Sequence, residues 1–213
     1  MAERGRFITF EGCEGGGKST QAALLAQALE RAGIGVLRTR EPGGAPGAEE
    51  IRTLIVGGAP GRWDALSEAL LIGAARRDHL VKTVWPALVS GRWVISDRFA
   101  DSTLAYQGYA GGVPRRHLRQ LYRMIAGDFV PELTIILDLP AALGLERAKR
   151  RGGEGEDRFE RMGLAFHEKL RAGFRAIARH EKARCVLIDA TAAIEPIHDA
   201  VRDAVQKRLG VAL

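Results

Sequence analysis

Short apolar runs alternate along this chain with longer stretches of helical periodicity. Strand-like runs fall at about Arg6–Glu11, Val36–Thr39, Trp93–Ser96, Leu133–Leu139 and Cys185–Ile188, with helical patterns near 18–32, 48–56, 64–90, 114–126, 141–150, 160–180 and 194–209. Strands separated by helices predict a parallel sheet covered on both faces. Right-handed crossovers then bring the strand C-termini to one edge, where open α/β sheets bind ligands. One domain spanning residues 1–213 is expected, since no repeat, low-complexity tract or linker interrupts the alternation. Two glycine-rich segments stand outside it. Glu41-Pro42-Gly43-Gly44-Ala45-Pro46-Gly47 is a loop by composition. Gly152-Gly153-Glu154-Gly155-Glu156-Asp157 lies within an arginine cluster. Glycine hinges beside cations predict a short lid, about 147–160, that closes over phosphates; a solvated surface loop is the alternative.

The first strand runs into Gly12-Cys13-Glu14-Gly15-Gly16-Gly17-Lys18-Ser19, which fits G-x-x-x-x-G-K-[ST] at every fixed position and opens the first helical pattern. Glycines let the backbone wrap phosphate oxygens with its N–H groups turned inward, and the helix adds its positive end. Lys18 is expected to reach the β- and γ-phosphates and the Ser19 hydroxyl to ligate Mg²⁺. Gly12 to Thr20 are therefore candidate ATP-binding residues: Gly12, Cys13, Glu14, Gly15, Gly16, Gly17, Lys18, Ser19 and Thr20. The fold expectation becomes a P-loop three-layer α/β/α architecture with a five-stranded parallel sheet.

Composition narrows the class. The 46% hydrophobic and 27% charged content suits an ordinary globular protein, and the apolar stretches fall far short of the ~20 residues of a membrane span. The N-terminal Met1-Ala2-Glu3-Arg4-Gly5-Arg6 carries no apolar signal core, so a cytoplasmic location without membrane contact is expected. Two cysteines make no disulfide framework; Cys13 is either a thiol activated by the helix end or, preferably, a spacer. The net charge of +6 could signal nucleic acid. The basic residues are scattered, however, apart from the cluster Arg147, Lys149, Arg150, Arg151, Arg158 and Arg161, which a lid handling nucleotide phosphates would also show.

The third strand ends in Asp97-Arg98-Phe99. An acid at this strand end, opposite a phosphate loop, is where such proteins hold Mg²⁺, which makes Asp97 and Ser19 the metal candidates. The following arginine suits a second phosphate held beside the first.

These residues bring a resemblance into view. Phe10 to Thr20, Thr39-Arg40-Glu41-Pro42-Gly43-Gly44, Asp97-Arg98-Phe99, Asp101-Ser102-Thr103-Leu104-Ala105-Tyr106-Gln107-Gly108-Tyr109 and Ile188-Asp189-Ala190-Thr191 occur in the order found in the thymidylate kinase family, of the nucleoside monophosphate kinases. The chain resembles that family over nearly its whole length. The resemblance implies phosphoryl transfer from ATP to dTMP, giving dTDP and ADP, with Mg²⁺, in a homodimer. Carried over residue by residue, it implies Arg98 and Arg40 on the acceptor phosphate, with Arg52 along the acceptor site. Glu14 would meet the deoxyribose hydroxyl, Tyr106 would pack near the 2′ position, and Arg76, Thr103 and Gln107 would read the thymine edge. Ala190 and Thr191 would line the adenine pocket through their backbones. Because the phosphate loop has no arginine, the lid is expected to supply one from Arg147, Arg151 or Arg158. One departure is Ile72, where many relatives place an aromatic ring on the base; isoleucine offers apolar contact without stacking.

Other classes fit less well. A dinucleotide-binding loop needs glycine where Glu14 stands, a guanine-reading Asn-Lys-x-Asp has no counterpart because the chain contains no asparagine, and none of His79, His117, His167, His180 and His198 forms a zinc motif. Another nucleoside or nucleotide kinase of the same fold remains the nearest alternative. A nucleoside kinase would need a carboxylate base, for which Glu11 or Glu14 are available. A P-loop ATPase acting on nucleic acid is a further one, and it predicts salt-sensitive polynucleotide binding.

Overall fold

The computed structural model describes residues 4–151 and 158–213, and of Arg151 only its place in a helix. Five strands, β1 (Phe7–Gly12), β2 (Val36–Arg40), β3 (Trp93–Asp97), β4 (Leu133–Asp138) and β5 (Cys185–Asp189), form one sheet in the order β2-β3-β1-β4-β5. All neighbouring pairs are parallel. Side chains alternate across β1 and β4 and so divide the core. Ile8, Phe10, Leu133, Ile135 and Leu137 pack beneath α1 (Lys18–Arg31) and α9 (Ile194–Leu209). On the opposite face Phe7 meets Leu88, Phe99 and Ile125, while Ile136 meets Leu170, Phe174 and Ile177. This double cover is why the strands read as nearly continuous apolar runs.

The remaining helices are α2 (Pro46–Val56), α3 (Ala65–His79), α4 (Trp85–Val89), α5 (Ala100–Thr103), α6 (Arg115–Ala126), α7 (Ala141–Arg151) and α8 (Leu164–His180). The start of α3 is fixed by Asp64, whose carboxylate accepts from the Leu66 and Ser67 N–H groups, a side-chain cap. Three departures from the predicted elements have physical causes. The helical pattern 64–90 is broken by a π-helical turn, Leu80–Val84, in which the Trp85 N–H reaches Leu80 O. Pro86 follows, with no N–H to donate and a ring that crowds the carbonyl four residues back, so the turn before it widens. The pattern 160–180 becomes helical only at Leu164, after turns at 158–161. A helical segment over residues 100–110, α5 continued by a π-helical run at Leu104–Ala110, has no apolar stripe to announce it. Its Asp101, Thr103 and Gln107 are buried.

Parallel register places Gly12, Arg40, Asp97 and Asp138 along one edge of the sheet, at the strand C-termini. Among the described residues no helix is long and apolar enough to cross a membrane.

Candidate active site

The phosphate loop joins β1 to α1. Two of its glycines are demanded by close approach: a Cβ on Gly12 (φ 127°) would lie 2.4 Å from Leu137 O, and one on Gly15 (φ 69°) 2.2 Å from Gly144 O. No side chain caps the start of α1 at Gly17. Its first N–H groups therefore remain for an anion. Lys18 lies along the loop, donating from Nζ to Cys13 O at 2.8 Å and Gly12 O at 3.3 Å. Burial lowers its pKa, and the neighbouring Arg98 lowers it further. Cys13 is buried in the core behind the loop; burial, with Glu14 beside it, pushes its thiol up to about 12. It is the spacer rather than a nucleophile.

Arg98 stands at the centre. Its backbone is left-handed at φ 70°, the one non-glycine residue so placed among those described, and such geometry costs about 1–3 kcal/mol. The conformation is held from both sides, since Arg98 N–H donates to Phe10 O at 2.8 Å and Ser96 Oγ donates to Arg98 O at 2.7 Å. The side chain consequently turns over the phosphate loop. Nη1 donates to Gly12 O (3.0 Å) and Ser102 Oγ (3.1 Å), and Nη2 to Glu14 Oε1 (3.0 Å). The guanidinium carbon sits 5.0 Å from the Tyr106 ring centre. Tyr106 Oη also donates to Glu14 Oε1, and His167 Nδ1 lies 3.5 Å from Glu14 Oε2, close enough for electrostatic contact. Burial alone would raise the Glu14 carboxyl, yet Arg98, His167, Lys18 and Tyr106 outweigh it and hold the group well below the usual carboxylate range.

Behind Arg98, buried Glu11 accepts from Phe99 N–H (2.8 Å), Ser102 N–H (3.2 Å) and Ser102 Oγ (2.5 Å). Burial, reinforced by Asp101, nonetheless pushes its carboxyl up to about 8. A carboxyl raised in the folded chain gives up stability as pH climbs from its ordinary value to the raised one. Glu11→Gln should thus shift the melting temperature more favourably at pH 9 than at pH 6, relative to the parent. Parallel pH profiles for the two proteins would contradict this.

Ser19 Oγ donates to Asp97 Oδ2 at the sheet edge. These hard oxygens fit Mg²⁺, which takes one or two protein ligands and fills its shell with phosphate and water oxygens. Among the described residues no group of three or more His, Cys, Asp or Glu side chains is placed for a metal.

A cavity of about 530 Å³ runs from this cluster between α2, α3 and the segment 100–110. Glu14, Gly15, Gly17, Lys18, Ser19, Thr20, Asp97 and Arg98 line one end, and Ile72, Arg76, Thr103, Tyr106 and Gln107 the other. Arg40 and Arg52 line it between β2 and α2; Arg40 pairs with Glu49 at 3.1 Å and Arg52 donates to Pro42 O at 2.8 Å. Arg76 is held by Glu41, which accepts from its Nε at 2.7 Å and contacts His79 Nδ1 at 2.9 Å. The Arg76 guanidinium also reaches Thr103 Oγ1 at 3.1 Å. The structure thus gathers most of the predicted residues around one space.

Five predicted residues lie elsewhere. Gly12, Cys13 and Gly16 sit behind the cavity wall, and Ala190 and Thr191 are at the end of β5, where their carbonyls accept from Arg147 at 2.9 and 3.1 Å. Of the lid, residues 152–157 and the Arg151 side chain fall outside the described residues. Arg158 is buried against Glu68 and Ile55 O, both at 2.6 Å, at the end of the cavity far from the phosphate loop. Phe159 and Glu160 beside it line the cavity. The sequence reading gave no role to Glu41, Glu68 or His167. For Glu68 a signal existed: it shares one face of α3 with Ile72 and Arg76 at four-residue spacing, an acid on a stripe that otherwise faces inward.

A phosphate loop at one end, a second cationic centre beside it and paired polar side chains at the other end define a P-loop nucleotide kinase. The family profile described as thymidylate kinase matches residues 10–201. The thymidylate kinase of Caulobacter vibrioides is 54% identical over 208 residues, 98% of this chain and 99% of its own length. That of Rhodopseudomonas palustris is 53% identical over 212 residues, 98% and 91% respectively. Among solved structures, the crystal structure of thymidylate kinase from Ehrlichia chaffeensis is 35% identical and superposes with a TM-score of 0.76 over 95% of this chain and 99% of that one. This chain belongs to the thymidylate kinase family.

Proposed function

We propose that this chain transfers the γ-phosphoryl group of ATP to dTMP, giving dTDP and ADP. The observation that carries the reading is the single cavity in which Lys18 and Ser19 stand at one end, Arg98 in the middle, and Arg76 with Gln107 at the other. A monophosphate has a second pKa of about 6 and is already largely an anionic nucleophile at pH 7. The reaction therefore asks for charge neutralisation and alignment rather than for a base. Lys18 and the loop N–H groups hold the donor phosphates, and Arg98, with Arg40, holds the acceptor. Ser19 and Asp97 would hold the Mg²⁺ that accompanies ATP and supplies further neutralisation there. At the far end Arg76 donates to a base oxygen, Gln107 and Thr103 complete the edge, and Ile72 gives apolar contact. Tyr106 crowds the sugar near Glu14. Ala190 and Thr191 border the adenine.

Arg184 and Arg171 are engaged internally, by Asp101 and Asp138, and with the arginines of the cavity they suit small-molecule substrates better than a nucleic-acid stripe. Buried free thiols suit the cytoplasm. Exposed Leu66 (47%) and Leu70 (53%) on α3 offer an apolar strip for a homodimer; sedimentation of a single 23.1 kDa species would refute that assembly.

The reading is tested by following ADP release with Mg-ATP across dTMP, dUMP, AMP, CMP and GMP. We expect turnover to be greatest with dTMP. Activity confined to a base other than thymine would overturn the substrate while leaving the fold intact.

A further inference from the structure

Glu68 closes the base end of the cavity from behind. It is 8% exposed, and both of its carboxylate oxygens are engaged by N–H donors: Oε2 accepts from Gln107 Nε2 at 3.0 Å and Oε1 from Arg158 Nη1 at 2.6 Å. Arg158, 1% exposed, is anchored in turn by Ile55 O and by stacking on Phe159, 4.4 Å from the ring centre. A carboxylate occupied in this way has only acceptor capacity to offer Gln107. The Gln107 amide must therefore turn its NH2 group towards Glu68. Its carbonyl oxygen, on a residue 1% exposed that lines the cavity, is left buried with no partner among the described residues. Buried acceptors are normally satisfied, so this oxygen has the capacity to accept an N–H from a ligand.

We propose that Glu68 is a specificity-determining positioning residue: it fixes the Gln107 amide so that the carbonyl, and not the NH2, is offered to the base. The site then selects a pyrimidine carrying N–H at ring position 3 over one carrying a lone pair there. Because the same carboxylate holds Arg158, this orientation depends on the chain that follows residues 152–157 being seated over the cavity. The inference rests on the reading of Gln107 as a base contact. Glu68 itself touches no substrate.

The test compares wild type, Glu68→Gln, Gln107→Ala and the double variant, measuring kcat and KM for dTMP and dCMP at saturating Mg-ATP. Arg158 only donates, so an amide at position 68 keeps its oxygen on Arg158 and turns its NH2 to Gln107, which inverts the lock while the shape is kept. Glu68→Gln should raise the KM for dTMP about tenfold or more and reduce the dTMP-to-dCMP ratio of kcat/KM by a similar factor. The KM for ATP should stay within about twofold. Adding Glu68→Gln to Gln107→Ala should cost nothing further in that ratio. Equal losses on both nucleotides would make Glu68 merely structural and overturn the proposal. If Gln107→Ala collapses the ratio and Glu68→Gln leaves it alone, the proposal fails and the base contact stands. If Gln107→Ala leaves the ratio unchanged, the base contact itself is wrong and the proposal falls with it. A measurement on the wild type guards against a variant that does not fold. The Gln107 side-chain NH2 protons should exchange slowly with solvent before as well as after dTMP is added. Protection that appears only on binding would refute the lock.

Discussion

Arg98→Ala is expected to lower kcat by about 10³-fold or more, within the range an arginine contributes to phosphoryl transfer. The guanidinium ties the phosphate loop, through Gly12 O and Glu14, to the segment after β3, through Ser102, and Tyr106 joins it on Glu14. Without the guanidinium, the proposed acceptor-phosphate site loses a cation and half-buried Glu14 loses its principal counter-charge. The two effects can be separated. Arg98→Lys keeps a charge but not the planar fork, so it should restore much of the thermal stability and little of the turnover. Steady-state kinetics with both substrates saturating, together with a melting curve for each variant, checks this. Turnover of Arg98→Ala within about tenfold of the parent would take Arg98 out of the chemistry.

Lys18→Ala is expected to cost at least about 10²–10³ in kcat, the size seen when one preorganised donor to a developing charge is removed. Its ammonium group already lies along the loop, donating to Cys13 O and Gly12 O, within the nest proposed for the donor phosphates. Burial lowers the pKa of this amine, and an arriving anion would favour its charged form. Loss of Lys18 should therefore weaken ATP binding as well as slow the transfer, while leaving dTMP affinity near that of the parent. Titrating each nucleotide separately, beside single-turnover measurements, distinguishes the two. A variant that binds ATP as tightly as the parent and turns over within about fivefold of it would contradict the assignment.

What could be read from the sequence was what is local. The phosphate loop declares itself over eight consecutive residues, and the central strands β1, β3 and β4 stand out because both faces of the sheet are covered there. The segment 100–110 was silent for the opposite reason. It is a helix whose inward side is polar: Asp101 meets Arg184, Thr103 meets Arg76 and Gln107 meets Glu68, so no hydrophobic period marks it. Its motif, Ser-Thr-Leu-Ala-Tyr-Gln-Gly, pointed to the site without revealing the helix.

The arginine cluster shows the same limit more sharply. Composition alone makes Arg147 and Arg158 equivalent candidates for a phosphate. In the fold Arg147 serves carbonyls at the end of β5, and Arg158 meets an acid that precedes it by 90 residues. Only tertiary structure brings Glu68 to Arg158, or Glu41 to Arg76 and His79. The positions that orient the site residues were consequently less legible than the site residues themselves.

The central claim is that one cavity holds two anionic groups end to end, one on the loop amides and Lys18, the other on Arg98. A crystal structure of the protein with ADP, Mg²⁺ and dTMP tests it most directly. The account predicts the dTMP phosphate within hydrogen-bonding distance of Arg98, facing the ADP β-phosphate at Lys18, with the thymine beside Arg76 and Gln107. A dTMP molecule seated away from Arg98, with the cavity between β2 and the segment 100–110 left to solvent, would contradict it.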